Sequence, residues 1–545
     1  MLELCKNTIK ENKQAIVFVN SRKSAEKEAV EISSEFVYAD LFDKDSKIKL
    51  NELSEQVLKT FSRPTEQCKK LARCIKEGVV FHHAGLPAKQ RAIIEDGFRN
   101  RLVKIICATT TLAAGLDLPA SRVIIRDLKR YTRRGMEFIP VLEYHQMAGR
   151  AGRPKYDKLG ESIVILKNKD SKKEIERVYF KGLPEKIYSK LAVEPLLRTH
   201  LLSLISSGIL TNRKEINEFF EKTFWAHQYG DTLELEKTID KVLNNLEKWG
   251  FIVKLRNNEK ENKDVIDEYK NEFSDATSLN YNNLGSDQNQ KIMAASIGRR
   301  IAQLYLDPFS ANKLIKAIKE RTGVEKIDDL IALFLICNLL EIRPLFKAKK
   351  DELEDVNGVV EEYGLYNEKI YDGYLDIEDV VKTALVLKDW IEEKDEAHIL
   401  EKYKVTPGEI RAKVDLSKWL FYCSHELSTL VQEKGLSRQF MKLMIRAKYG
   451  VKEELLPLLR LKEVGRVRAR ILYKNELKTP NDVEKNRMKV EQLFGKITSD
   501  KIFDSLGKEK VELKEDIKEW MKEEDLLEKD ISKEVENPDV KEIKL

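Results

Sequence analysis

The chain has 545 residues, of which 35% are charged and 42% hydrophobic, and it carries a formal net charge of +6. This length exceeds what one hydrophobic core holds, so several domains are expected. The mild charge points to a polyanionic partner only where basic residues cluster. The six cysteines (Cys5, Cys68, Cys74, Cys107, Cys337, Cys423) are scattered through mostly apolar runs, the pattern of small buried side chains in a reducing compartment rather than a disulfide framework or zinc site. No apolar run reaches membrane-spanning length and no signal peptide is evident, so a cytoplasmic protein without a membrane partner is expected.

In chain order, Ala15-Ile16-Val17-Phe18-Val19 is a continuous apolar run of the kind that forms a buried parallel strand. Asn20-Ser21-Arg22 follows, then a helical stretch from Ser24 to Ile32 and a polar helical insertion over roughly 40–77. Val79-Val80-Phe81 is a second strand, running into His82-His83-Ala84-Gly85-Leu86-Pro87 and a helix from Ala88 to Arg99. Val103 to Ala108, Val123 to Ile125 and Ser162 to Leu166 are three more strands. Buried strands alternating with helices predict an α/β unit, a parallel sheet with helices on both faces, whose ligands bind at the carboxyl ends of the strands.

Two stretches at such positions carry chemistry. Thr109-Thr110-Thr111-Leu112-Ala113-Ala114-Gly115-Leu116-Asp117 follows the third strand. Small hydroxyl residues at a strand-to-helix junction leave backbone amides for a phosphate, with Asp117 placed to orient an arginine or a water; the same residues also make an ordinary N-capped turn. Gln146-Met147-Ala148-Gly149-Arg150-Ala151-Gly152-Arg153-Pro154 reads as a helix end delivering two fixed positive charges to one point. It is either a clamp on a transferring phosphoryl group or a basic, glycine-capped helix terminus.

Asn20-Ser21-Arg22, His82 to Leu86, Ala108 to Pro119 and Gln146 to Pro154 stand in the order and spacing of the second RecA-like lobe of superfamily 2 helicases. The chain resembles the Ski-like branch, and within it the archaeal Hjm/HelQ-type DNA helicases, over nearly its whole length to about residue 500. The resemblance implies that Arg150 and Arg153 are arginine fingers reaching ATP and that Gln146 is a contact on the nucleotide side. It implies that Gly115 and Asp117 couple the ATP and DNA sites, and that Ser21, Arg22, His83, Gly85, Thr109 and Thr110 face the backbone of the tracking strand. Between the third and fourth blocks, Tyr131-Thr132-Arg133-Arg134-Gly135-Met136-Glu137-Phe138 has the glycine turn and flanking aromatics of a β-hairpin. In the family such a hairpin splits the duplex, with Arg133 and Arg134 holding phosphates; a solvated loop is the competing reading of the same residues.

From Leu191 the pattern turns helical. One amphipathic helix starts at Glu194 and ends at Gly208, and a second, Leu233 to Trp249, closes on Gly250 before a short strand at Phe251-Ile252-Val253-Lys254. Helices with a strand pair are the inventory of a winged helix. Residues 256–290 are polar and read as a linker or surface excursion. Ile297 opens an all-helical region in which the family carries a ratchet helix along single-stranded DNA; Val380 to Glu393 is the counterpart here, with Lys382 and Trp390 near one face. Trp390 would stack on a base of any identity, although a helical tryptophan taken alone more often sits in a core. Asp395-Glu396-Ala397-His398 spells a helicase magnesium motif, but it follows a helix rather than a buried strand and reads as a solvated helix end.

Leu458 to Leu472 resembles a helix-hairpin-helix, with Arg466, Arg468 and Arg470 as its DNA contacts and Arg438, Lys442, Arg446 and Lys448 adding charge upstream. Glu463 and Glu476 stand where that motif usually has glycines. The expected domains are a second RecA-like lobe at 1–188, a winged helix at 189–258, a helical ratchet bundle at 259–403, a helix-hairpin-helix domain at 404–500 and a charged tail at 501–545.

No Gly-x-x-x-x-Gly-Lys-Thr/Ser loop occurs among the 545 residues. The resemblance therefore implies the carboxyl-terminal portion of an ATP-dependent, 3′–5′ DNA helicase, inactive without a first RecA-like lobe that supplies the magnesium ligands. Such a protein would act on single-stranded, forked or branched DNA in repair or recombination, with ATP and Mg2+ as cofactors. The alternatives are a non-catalytic DNA-binding or adaptor protein, and an RNA helicase of the same branch.

Overall fold

The structure is a computed structural model that describes residues 1–506 except 38–41, 61–63, 114–117, 133–134, 153–158, 167–171, 192, 231–232, 256–289, 372 and 374. It divides into two compact units, Met1–Ile187 with Lys404–Arg411, and Tyr188–Tyr403 with the chain from Ala412 on. Among the described residues, no helix is long and apolar enough to cross a membrane.

The first unit forms all five strands expected from its apolar runs. β1 (Ala15–Phe18), β2 (Val79–His82), β3 (Ile105–Ala108) and β4 (Arg122–Ile125) bury every side chain, as parallel strands covered on both faces require. β5 (Lys129–Thr132) and β6 (Gly135–Phe138) form the expected hairpin, with Tyr131 opposite Met136. β7 (Glu161–Val164) completes a parallel sheet in the order β2-β3-β1-β4-β7. The helices of this unit are α1 (Leu2–Lys10), α2 (Arg22–Phe36), α3 (Lys44–Leu58), α4 (Glu66–Lys76), α5 (Ala88–Arg99) and α6 (Val141–Ala148). α2 and α4 pack on β2 and α6 on β4, all in one hydrophobic core. Because the strands are parallel, the loops after β1, β2 and β3 leave the sheet at one edge.

The second unit opens with helices Glu194–Ser206, Arg213–Glu221, Phe224–Tyr229 and Leu233–Lys248. Gly250, at φ +73°, turns the chain out of the last of these in a conformation that side chains with a Cβ avoid. The strand Ile252–Leu255 follows, and its antiparallel partner is Lys291–Ala294. That partner lies beyond residue 258, the expected end of this domain, and the polar stretch before it gave no sign of it. Helices then carry the chain from Ser296 to Tyr449, with Asp329–Cys337 buried along almost all its length. Asp395-Glu396-Ala397-His398 starts a helix (Glu396–Tyr403) instead of ending one, and Glu396 is half-buried, its carboxyl pushed up by that burial.

A separate small core gathers residues from Met441 to Ile502 around helices Leu456–Leu459 and Arg466–Lys474. The turn between these helices holds Glu463 at φ +61°, and Glu476 after the second helix has the same φ. The sequence thus places glutamates at two left-handed positions where glycine costs nothing sterically. Glu463→Gly is expected to raise the unfolding free energy by about 1 kcal/mol, offset in part by the freer unfolded chain. Urea titration of the full chain checks it, and a lower midpoint would contradict the strain at Glu463.

Candidate functional site

The loops at the carboxyl edge of β1, β2 and β3 bring together the expected residues of three separate sequence blocks. After β1, Ser21 is the N-cap of α2: its exposed hydroxyl accepts the Ser24 amide at 3.1 Å and lies 2.8 Å from the Ser24 hydroxyl. After β3, Thr109 opens a short 3-10 turn, with its hydroxyl 2.9 Å from that of Thr111 and its amide donating to His82 O at 3.3 Å. Thr109 and Thr110 are both half-exposed.

After β2 the structure revises one expectation. His83 is fully buried and does not face solvent. Its ring stacks on Phe81 at 5.6 Å, Nδ1 accepts the Gly85 amide at 3.1 Å, and Nε2 lies 3.4 Å from Glu26. An apolar strand end and an internal acid hold the imidazole inward, so His83 shapes the loop instead of touching a ligand. The neighbouring His82 is buried against Glu95 at 3.0 Å, and burial pushes its imidazole below the usual range despite that carboxylate.

Arg22 opens α2 and donates to Glu409 at 2.5 Å. Glu409 belongs to the segment Lys404–Arg411, which folds with the first unit. Its other oxygen accepts the Thr406 amide and hydroxyl at 2.9 and 2.8 Å. Burial would raise the Glu409 carboxyl, but the bonds from Thr406 and Arg22 outweigh it and hold it below the usual range. Beside this pair the Gly408 amide donates to Gly85 O at 3.1 Å, and a Cβ on Gly408 would lie 2.6 Å from Ala84 O. No local pattern marked Glu409, because its partner is 387 residues away in sequence.

The paired-arginine stretch lies where α6 ends. Gln146 is exposed on α6, and Gly149 caps it. Arg150 O accepts the Ala120 amide at 2.9 Å, and Ala120 O accepts the Gly152 amide at 2.7 Å, so this stretch is stitched to the chain just before β4. The Arg150 side chain reaches back to the threonine turn, donating from Nε and Nη2 to Ala113 O at 3.0 and 2.6 Å. Two of the sequence blocks therefore meet at one guanidinium. Gly115, Asp117, Arg153, Arg133 and Arg134 lie outside the described residues. The hairpin tip still exposes Tyr131, by 82%, and Met136, by 57%. Arg130 of β5 donates to both carboxylate oxygens of Glu143 on α6, at 3.0 and 2.8 Å, which ties the hairpin to the helix that leads to Arg150.

In the second unit the structure corrects the reading of Lys382. It is 2% exposed, and its ammonium donates to both oxygens of Glu352 at 2.9 and 2.7 Å and to Lys347 O at 2.9 Å. An interior carboxylate holds it away from any outside ligand. Trp390 is half-buried; its indole N–H donates to Ala447 O at 2.7 Å, and the Arg466 guanidinium lies 5.2 Å from its ring centre. Arg466 also donates to Lys394 O at 2.7 Å. Arg468 bonds to the carbonyl and carboxylate of Glu463. Arg470 pairs with Glu393 and with Glu454. All three arginines thus have partners within the chain, and except for Glu463, five residues before Arg468, these partners are distant in sequence.

The carboxyl edge of the parallel sheet thus gathers loops from three sequence blocks, and Arg150 links the threonine turn to the end of α6. The family "Helicase conserved C-terminal domain" matches residues 51–155, "Helix-turn-helix domain" matches 160–253, and "Archaeal helicase, domain 4" matches 330–450. ATP-dependent DNA helicase Hel308 of Methanococcus vannielii is 36% identical over 528 residues, covering 93% of this chain and 67% of the relative. The Hel308 protein of Pyrococcus horikoshii is 36% identical over 521 residues, 93% of this chain and 66% of the relative. That of Methanocella arvoryzae is 36% identical over 477 residues, 86% and 59% respectively. The chain belongs to the Hel308 helicase family, and it spans about two thirds of the length of the first two of these relatives.

Proposed function

We propose that the chain is the carboxyl-terminal portion of an ATP-dependent DNA helicase of the Hjm/HelQ type, moving 3′ to 5′ on forked or branched DNA. In this reading the first unit is a second RecA-like lobe, followed by a winged helix, a ratchet bundle and a helix-hairpin-helix domain. The observation that carries the proposal is the convergence at Arg150: its guanidinium joins the threonine turn after β3 to the helix that anchors the hairpin. A group at that junction senses both nucleotide and strand.

Bound ATP would supply the phosphoryl group for transfer to water. Arg150 and Arg153 contribute fixed positive charge toward it, and Gln146, exposed on the preceding turn of α6, is the nucleotide-side contact. Gly115 and Asp117, later in the same sequence block, couple that site to the strand. Ser21, Thr109 and Thr110 line the edge along which the backbone of the tracking strand runs, with Arg22 beside them, and their hydroxyls suit phosphate; Gly85 is buried with its amide on His83, so it shapes this loop and does not contact the strand. The exposed Tyr131 and Met136, paired across the hairpin, form an apolar tip that can stack on the last base pair; Arg133 and Arg134, which the sequence puts between them, are assigned to phosphate. The phosphate-binding lysine and the Mg2+ carboxylates are assigned to a first RecA-like lobe, supplied in trans or within a longer gene product.

The test is reconstitution. Mixed with a cognate first lobe, single-stranded DNA, ATP and Mg2+, the chain is expected to restore DNA-stimulated ATP hydrolysis. A mixture that binds DNA tightly and salt-sensitively but never hydrolyses ATP would replace the helicase with a DNA-binding adaptor. Equal stimulation by RNA would move the substrate to that polymer.

A further inference from the structure

In the helix Lys434–Tyr449, the residues Lys434, Arg438, Lys442 and Arg446 recur at every fourth position. That spacing places them along one face, about 6 Å apart down the axis. The same four line a cavity of about 460 Å³ in the second unit, together with the loop that carries Lys326 and with Glu453. Among the described residues the walls hold five basic and four acidic side chains.

Three of the acids are committed. Glu453 accepts from Lys326 at 2.8 Å and from Lys442 at 3.0 Å. Lys326 chiefly, with burial opposing and Lys442 adding, holds its carboxyl down at about 2. Asp329 accepts from the buried Arg446 at 2.5 Å, and Glu433 accepts the Gly323 amide at 3.1 Å. Lys434 and Arg438 are exposed and have no ion-pair partner among the described residues, against the single exposed Glu325. The cavity therefore presents two uncommitted cations above an internally neutralised wall. Its volume is that of a small-ligand site and is too small for a duplex.

We propose that this cavity seats the phosphodiester backbone of single-stranded DNA, gripped by Lys434 and Arg438. Arg438 can take two phosphate oxygens in its planar fork, and Lys434, one turn earlier, acts as a point charge. Neither reads a base, so the seat tolerates any sequence, as a strand that moves past it requires. This seat rests on the DNA-binding reading given above, and the experiment separates the two.

Binding of the full chain to a labelled oligo-dT is measured across a range of salt concentrations. Losing two phosphate contacts on a single strand makes the slope of log affinity against log salt shallower by about 1.4, which is about a 25-fold weaker affinity near 0.1 M salt. K434Q/R438Q is expected to show that change, and K434R/R438K, which keeps both charges, to retain the parent slope. An unchanged slope in K434Q/R438Q while the parent chain binds would remove the seat and leave the DNA reading intact. Equal losses in both double variants would also remove it, because the effect would then follow helix damage and not charge. A parent chain that fails to bind DNA overturns the DNA reading itself, and this seat with it.

Discussion

Arg150→Ala is expected to lower DNA-stimulated ATP hydrolysis of the reconstituted enzyme by about 10³–10⁵-fold, the range for removal of an arginine finger, while DNA affinity without nucleotide stays the same. The split follows from the geometry. The backbone of Arg150 is fixed by its bond from the Ala120 amide, so the loss of the side chain does not release the stretch from the sheet. The guanidinium, by contrast, is held through Nε and Nη2 on the Ala113 carbonyl. A lysine at this position keeps one charge but cannot reproduce the planar fork. Arg150→Lys is therefore expected to recover only a small part of the rate. Steady-state hydrolysis with the first lobe present, read beside oligonucleotide binding, checks both halves. A rate within tenfold of the parent would take Arg150 out of the reaction.

Lys382→Ala is expected to cost about 3–5 kcal/mol of stability, because it leaves the Glu352 carboxylate in the interior without its cation. Both Glu352 oxygens accept from the Lys382 ammonium, and Glu352 is itself largely buried. Replacing both partners with apolar residues, K382M/E352L, should restore most of that loss, since neither charge then remains to be solvated. Urea unfolding of the full chain measures the difference. The DNA affinity of the folded Lys382→Ala protein is expected to match the parent. A stable Lys382→Ala protein with weakened DNA binding would return this residue to the DNA path.

The contrast between Lys382 and the five-stranded sheet shows which information a sequence carries locally. Strands such as Ile105–Ala108 are apolar at every position because both faces are covered, and a run of that kind is visible without knowing what covers it. The hairpin was equally legible, since Gly135 at φ +108° meets a need of the turn itself. The fate of a charged side chain depends on partners that come from elsewhere. Lys382 meets Glu352 30 residues away, and the indole N–H of Trp390 meets Ala447 57 residues away. Helical spacing put both residues near one face; residue type alone already favoured an interior place for Trp390, whereas nothing local did so for Lys382. His83 was misread for a related reason: the loop motif was right, but the stacking on Phe81 and the approach to Glu26 turned the ring inward. Glu463 and Glu476 show the opposite case. A departure from the usual glycine, noticed in the sequence alone, coincides with left-handed backbone in the structure.

The scattered cysteines have a practical consequence. All six are buried, and burial pushes the thiols of Cys5 and Cys337 up to about 12 and that of Cys107 well above its ordinary range. A thiolate-seeking reagent therefore finds almost nothing to alkylate in the native molecule. Cys5, Cys68, Cys74 and Cys107 lie in the first unit, and Cys337 and Cys423 in the second. Pulse alkylation followed by peptide mass mapping thus reports the opening of each unit separately. One cysteine introduced on the hairpin tip would take a fluorophore alone, with no native thiol removed first.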